Sequence, residues 1–415
     1  MKNEINIKNR KEYKMYNIKL ENYVPKPMPA TSDRIVAAHY YAAWKKGAAR
    51  IHEAFDDLHD FPERTPLHGY YDEENPELCD WEIKWALEHG INCFIYCWYR
   101  NLENMGKPIT DKDLRCGHGI HEAFFNAKYS NMMKFAIMFE NSPRWGTTDP
   151  EDIIENVMPF WMETYFKRGN YLIIDNKPVV FVFSAKRLRD ALGGVEGQAK
   201  AFDACREYCR KHGFDGMVFA KCDWDSNDEG VRMDKESGYD FRFCYTSGYS
   251  APYDNPPQED VINGQTEKAR KRLAQDPMGY VPTVTCFWDS TPRYSQHWID
   301  MGYEFHLGTK YRLDPENFRT ILKKVKHMTD ALPEGSWGKK IFMIDNWNEW
   351  DEGHYVSPSH EFGFRYLQAV REELTERDNL PDYRMPQDIG LSNFNKSWGN
   401  PDLSEQCKKK FGVEY

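Results

Sequence analysis

Ile341-Phe342-Met343-Ile344-Asp345-Asn346-Trp347-Asn348-Glu349-Trp350-Asp351-Glu352-Gly353 opens as a short apolar run and closes in acids, amides and indoles. Such a run, with no polar alternation, is the pattern of a strand covered on both faces. Seven similar runs precede it: Ile35–Tyr41, Cys93–Trp98, Lys134–Phe139, Val179–Ser184, Met217–Cys222, Asp240–Tyr245 and Val281–Phe287. Longer helical patterns separate them. Strands alternating with helices point to a parallel α/β sheet. Eight such units in a chain of this length point to a (β/α)₈ TIM barrel. The barrel is expected over residues 31–375, with an N-terminal extension (1–30) and a C-terminal extension (376–415) packed on it.

Helix starts support this reading. Asn75-Pro76-Glu77, Asp149-Pro150-Glu151 and Asp314-Pro315-Glu316 each offer a capping side chain, a proline suited to the first helical position and an acid for the helix dipole. Gly90 and Gly213 stand where helix stops are expected. A last helix is expected from Glu361 to Leu374. The stretch from Gly248 to about Pro277, with its Pro252, Pro256 and Pro257, reads as a long loop of the kind that forms lids.

Composition narrows the function. Acidic residues outnumber basic ones, 65 to 55, for a net charge of −10. That argues against nucleic acid or an anionic membrane as partner. Aromatics make up 15% of the chain, enough for a large core or for a cleft with stacking surfaces. The N-terminus is charged, so neither a signal peptide nor a membrane anchor is expected here. A chain whose leader had been trimmed would read the same, so location is left open. The ten cysteines form no CxxC pair. They read as small buried hydrophobes, which fits a reducing compartment and speaks against a zinc cluster.

Catalytic groups of such barrels sit at the C-terminal ends of strands. Here those ends carry His39-Tyr40-Tyr41 with Trp44, Trp98, Glu140, Asp223-Trp224-Asp225, Tyr245, Trp288-Asp289 with Arg293, and Asn346 through Glu352. A ring of aromatics, amides and acids suits a polyhydroxylated ligand. Glycoside cleavage needs two carboxyl groups, one protonated and one ionised. Glu349 and Glu352 are the natural pair, and their closeness would spread their pKa values. The Asp223-Trp224-Asp225 triplet has the form that holds a metal on a nucleotide diphosphate in some glycosyltransferases, but no Gly-rich phosphate loop accompanies it. There is neither HExxH nor G-x-S-x-G.

Asn348-Glu349-Trp350-Asp351-Glu352-Gly353 resembles the N-E-W-x-E-G signature of glycoside hydrolase family 99 and its WbsX-like relatives. Ala38-His39-Tyr40-Tyr41 with Trp44, Gly90-Ile91-Asn92-Cys93-Phe94 leading to Trp98, and Trp288-Asp289-Ser290-Thr291-Pro292-Arg293 agree in order. The resemblance spans roughly residues 31–375. It implies a metal- and cofactor-free, retaining cleavage of α-mannoside-type linkages in an oligosaccharide or polysaccharide. In that scheme Glu349 is the base on the sugar's own 2-hydroxyl, which attacks the anomeric carbon, and Glu352 is the acid/base at the leaving oxygen. The expected substrate-lining set is His39, Tyr40, Tyr41, Trp44, Trp98, Glu140, Asp289, Arg293, Asn346, Asn348, Trp350 and Tyr355. Asp351 departs from the family, where the endomannosidases resembled most often carry His. The rival readings are a WbsX-like glycosyltransferase of polysaccharide synthesis and a non-catalytic carbohydrate-binding barrel.

Overall fold

The computed structural model describes residues 23–45, 55–58, 60–223, 228–275, 278–294 and 309–394 of the chain. Its frame is eight strands: β1 (Ile35–Tyr40), β2 (Cys93–Arg100), β3 (Lys134–Phe139), β4 (Lys177–Val182), β5 (Val218–Cys222), β6 (Phe241–Phe243), β7 (Thr283–Thr285) and β8 (Ile341–Asp345). They lie in the order β6-β5-β4-β3-β2-β1-β8-β7, and every neighbouring pair is parallel. The circle closes between β6 and β7 through a single bridge, Arg242 with Tyr280. Side-chain bonds reinforce that seam: Thr283 Oγ1 donates to the Cys244 carbonyl at 2.6 Å and accepts from the Cys244 N–H at 3.3 Å. The chain is a nearly closed (β/α)₈ barrel.

Helices α1 (Pro76–Glu88), α3 (Ala185–Ala191), α4 (Gly194–Lys211), α5 (Asp228–Glu236), α6 (Gln258–Gln275), α7 (Pro315–Asp330) and α8 (Arg365–Leu374) surround the strands. Helix α2 runs through Ile153–Val157, Met158–Trp161 and Met162–Phe166, with wide i→i+5 turns at both ends. All three Asn/Asp-Pro-Glu starts operate. Asn75 accepts from the Glu77 N–H, Asp149 from the N–H groups of Glu151 and Asp152, and Asp314 from the Asn317 N–H. The apolar stripe Phe318, Ile321, Leu322 and Val325 of α7 is buried, with α6 on one side and α8 on the other.

The expectation of a long loop over Gly248–Pro277 is overturned. Most of that stretch is the 18-residue helix α6, and among its described residues only 248–257 form a loop. The prolines end just before the helix begins, and its core contacts are few: Val261, Ile262 and Ala269 are buried. So thin an apolar stripe hides a helix from a periodicity reading. The last helix starts at Arg365 rather than Glu361. The run Val281–Phe287 divides, with β7 in the barrel and Phe287–Trp288 leaving it to pair antiparallel with Tyr311–Arg312.

Residues flanking the barrel cross the outer face of α1. Ala30 donates its N–H to the Leu87 carbonyl, Glu376 to that of Thr31, and Asp382 to Glu88. Lys84 on α1 pairs with both Glu88 and Asp382. Among the described residues, no helix is long and apolar enough to cross a membrane. All nine described cysteines are free thiols.

Candidate active site

The segment that follows β8 turns back on itself as a hairpin, Asn348–Glu349 against His354–Tyr355. Its entry is fixed by the Trp347 N–H donating to the His39 carbonyl at 2.7 Å and the Val356 N–H to the Asn346 carbonyl at 2.9 Å. Its tip needs Gly353. That residue has φ +65°, and a Cβ there would lie 2.4 Å from the Asp289 carbonyl oxygen.

Side chains of the hairpin face two ways. On the outer side, the Trp347 indole donates to Glu82 at 3.0 Å and the Trp350 indole to the Tyr71 hydroxyl at 2.9 Å. Asn348 accepts from the Tyr41 N–H at 2.9 Å and donates to the Tyr41 carbonyl at 2.9 Å and to Glu73 at 2.7 Å. The Trp44 indole donates to the Asn348 carbonyl at 2.9 Å. These bonds clamp the hairpin to the β1 loop and α1. Burial, reinforced by Glu82, pushes the Glu73 carboxyl well above the usual carboxylate range. Burial raises Glu82 to about 7, against the pull of donors from Tyr40 and Trp347.

The inner side faces the barrel mouth. The Tyr245 hydroxyl donates to Glu349 Oε2 at 2.7 Å, and the Asn346 amide donates to the same Tyr245 oxygen at 2.7 Å and to Glu349 at 3.4 Å. Glu352 Oε2 lies 2.7 Å from His354 Nε2, and His354 Nδ1 lies 2.5 Å from Asp345 Oδ1. Thr285 Oγ1 donates to Asp345 Oδ2 at 2.7 Å. Burial disfavours a charged His354, but Asp345 and Glu352 outweigh it and lift the ring to about 10. His39 sits across from it, its ring 4.8 Å from that of Tyr245. Burial, helped by charged His354, pushes His39 down to about 3.

Glu349, Glu352 and His354 each bring one atom of metal-ligand type within 4.8 Å of the others. His354, set between Asp345 and Glu352, supplies a positive charge to this cluster from within.

A family model described as Glycosyltransferase WbsX matches residues 41–370. The chain belongs to this family. The WbsX-family chain is also 22% identical, over 393 residues, to the uncharacterized protein WxcX of Xanthomonas campestris pv. campestris, found in two strains. That match covers 86% of the chain and 51% of WxcX, so the chain spans about half the length of these curated relatives. Two solved structures of the glycoside hydrolase family 99 endo-α-mannosidase from Bacteroides thetaiotaomicron share the fold. Each gives a TM-score of 0.53 at 13% identity, and they cover 82% and 89% of this chain and 96% and 100% of their own.

The structure of this WbsX-family protein sorts the expected site residues. It brings Glu349, Glu352, Asn346 and His39 together on the inner side. Glu140, after β3, is nearly buried and accepts from Ser142. Burial raises it to about 7, against the Ser142 bonds. Tyr41 packs edge-on to Trp44 and Tyr99. Trp350 and Tyr355 pack against each other with tilted rings, centres 4.3 Å apart, inside the hairpin's packing.

Several expected lining residues do not face the mouth. Tyr40 points outward and bonds Glu82 of α1 at 2.5 Å. Trp98 also points outward, donating to Tyr165 of α2 and packing against Trp161. Both follow from strand alternation: Cys97, on the opposite parity to Trp98, is the β2 side chain within 4.0 Å of Tyr245. Trp44 and Asn348 serve the clamp. Asp289 pairs with Arg64 and Thr291, and the side chain of Arg293 lies outside the described residues. Trp224 and Asp225 lie outside them too. Asp223 is buried against Lys221, Arg242 and Arg272 on the outer face of β5 and β6.

Sequence reasoning left His354, Asp345 and Tyr99 out of the site and noted Tyr245 only as a strand end. His354 was marked by its place directly after the acidic motif. Nothing in the near-continuous apolar run of β2 separates Tyr99 from Trp98.

Proposed function

We propose that this protein cleaves α-mannoside-like glycosidic bonds of an oligosaccharide or polysaccharide with retention, using Glu349 and Glu352. The observation that carries this reading is the spacing and unequal environment of the two carboxyl groups. Their facing atoms lie within 4.8 Å. Inverting enzymes leave about 6.5–9.5 Å between such groups for a water, so this closeness speaks against inversion. Glu349 accepts from neutral donors, Tyr245 and Asn346, which leave it an acceptor aimed at a hydroxyl. Glu352 is joined to a proton-bearing ring. The two environments match a base and an acid/base.

In an α-mannoside chair the 2-hydroxyl and the leaving oxygen are trans and diaxial. Glu349 takes the proton from the 2-hydroxyl, whose oxygen attacks the anomeric carbon from behind as Glu352 protonates the departing oxygen. Water then opens the 1,2-anhydro ring, with Glu352 as base and Glu349 returning the proton to O2. His39 is neutral and buried, and its two ring nitrogens meet no partner among the described residues. A sugar hydroxyl offers the donor and acceptor that such nitrogens need.

The family description favours a second reading, transfer of the sugar to another hydroxyl in place of water. A nucleotide-sugar route would need a diphosphate site, and Asp223 is already neutralised by three cations. The deciding experiment is a polysaccharide digestion screen with wild type and Glu352→Gln in parallel, beside nucleotide sugars with Mn²⁺. Reducing sugar released only by the wild type supports hydrolysis. Transfer from a nucleotide sugar with no digestion overturns it, and ligand binding without turnover in either assay points to a binding barrel.

A further inference from the structure

The mechanism above asks Glu352 to be an acid in one step and a base in the next, yet a lone carboxyl at the site mouth is ionised at neutral pH. Glu352 is the more accessible of the group, its side chain 14% exposed, while His354 and Asp345 are fully buried. The chain Thr285–Asp345–His354–Glu352 runs inward from it through three consecutive hydrogen bonds of 2.7, 2.5 and 2.7 Å. Thr285 is itself fixed by the Ser247 N–H at 2.8 Å. Such an arrangement sets one nitrogen of the ring and leaves the other to work.

Resting on the hydrolase reading, we propose that His354, oriented by Asp345, is a positioning residue that stores the proton Glu352 delivers and recovers. In the first step the Nε2 proton passes to Glu352, and the C–O bond then breaks as the leaving oxygen takes that proton, leaving Glu352 ionised. The ring is then neutral, its Nδ1–H still donating to Asp345. In the second step water gives its proton to Glu352, and so back to Nε2, while its oxygen bonds the anomeric carbon. Protons balance over the cycle, and no metal or other co-reactant enters. The charged or titratable groups facing the ring are Asp345 of β8, Glu352 and Glu349 of the hairpin, His39 of β1 and Tyr245 beyond β6. Trp288, beyond β7, covers one face at 4.7 Å. His39 is held neutral, so only the acids favour the ring's charge.

Two measurements on the full chain test this. The first is ¹⁵N-histidine NMR across pH, with the His354 signal assigned by its loss in His354→Gln. The expected ring is doubly protonated through pH 8 in the wild type. Asp345→Asn and Glu352→Gln should each lower its titration by about one unit or more, tenfold in proton affinity. A ring that is neutral at pH 7 overturns the proposal. The second compares methyl α-mannobioside, whose leaving group needs a proton, with α-mannobiosyl fluoride, whose leaving group needs little help. His354→Gln should slow the methyl glycoside roughly 10²-fold and the fluoride less than about tenfold. Equal losses on both mark a merely structural histidine and overturn it. Wild type that cleaves neither probe counts against the α-mannosidase reading, while the NMR titration still decides whether His354 holds the proton.

Discussion

Carboxylates are buried on both sides of the hairpin that follows β8, and the two sides are compensated differently. On the outer side Glu73 and Glu82 meet, among the described residues, neutral donors only: the Trp44 N–H, Asn348, Tyr40 and Trp347. On the inner side Asp345 and Glu352 share an imidazolium. Burial without a cation favours the protonated acid, which clamps through hydrogen bonds at no cost in buried charge. Burial against a cation keeps charge and a mobile proton in place. The outer side holds the hairpin still, and the inner side carries the groups to which the proposed reaction is assigned.

That contrast can be broken at several points. Glu349→Gln and Glu352→Gln should each lower glycan cleavage roughly 10³-fold, read from reducing-sugar release. Gly353→Ala should cost about 2–3 kcal/mol in denaturant unfolding, because its φ and the Asp289 carbonyl both reject a Cβ. Trp98→Phe should lose about 1–2 kcal/mol with its bond to Tyr165, yet leave KM within about twofold. A large rise in KM would return Trp98 to the substrate.

Glu140 gives the pH test. Its folded value of about 7 lies above the ordinary 4.5. Through this group, wild-type stability therefore falls as pH rises from 4.5 through 7. Glu140→Gln should melt higher than wild type at pH 8 and level with it at pH 4. His354 has the same sign in a higher window: its contribution is full below 6.5 and is lost as pH rises through about 10. The smallest effect on turnover, under about twofold, is expected of Glu73→Gln, which should cost about 1–2 kcal/mol because its amide nitrogen cannot accept from either the Trp44 N–H or Asn348.

The strand count, the helix starts and the acidic pair were legible because each rests on local chemistry: unbroken apolar runs, a capping side chain before proline, two glutamates three residues apart. The inward or outward direction of Tyr40 and Trp98 was not, because strands covered on both faces carry no alternation to read. Helix α6 was missed because its covering contacts come from the neighbouring helix and from Tyr249, whose ring lies against Gly264. The partner of Asp289 is Arg64, 225 positions away, and no local pattern announces such a pair.

The barrel closes between β6 and β7 by one backbone bridge, and Tyr245 hangs just beyond β6. The donor to Glu349 is thus mounted on one bank of the least-laced joint, and Glu349 itself beyond β8, the strand paired with the other bank. Amide exchange should be fastest, among the barrel strands, along this joint. A breath there would switch the site off by parting Tyr245 from Glu349 while the ladders from β5 round to β8 stay shut.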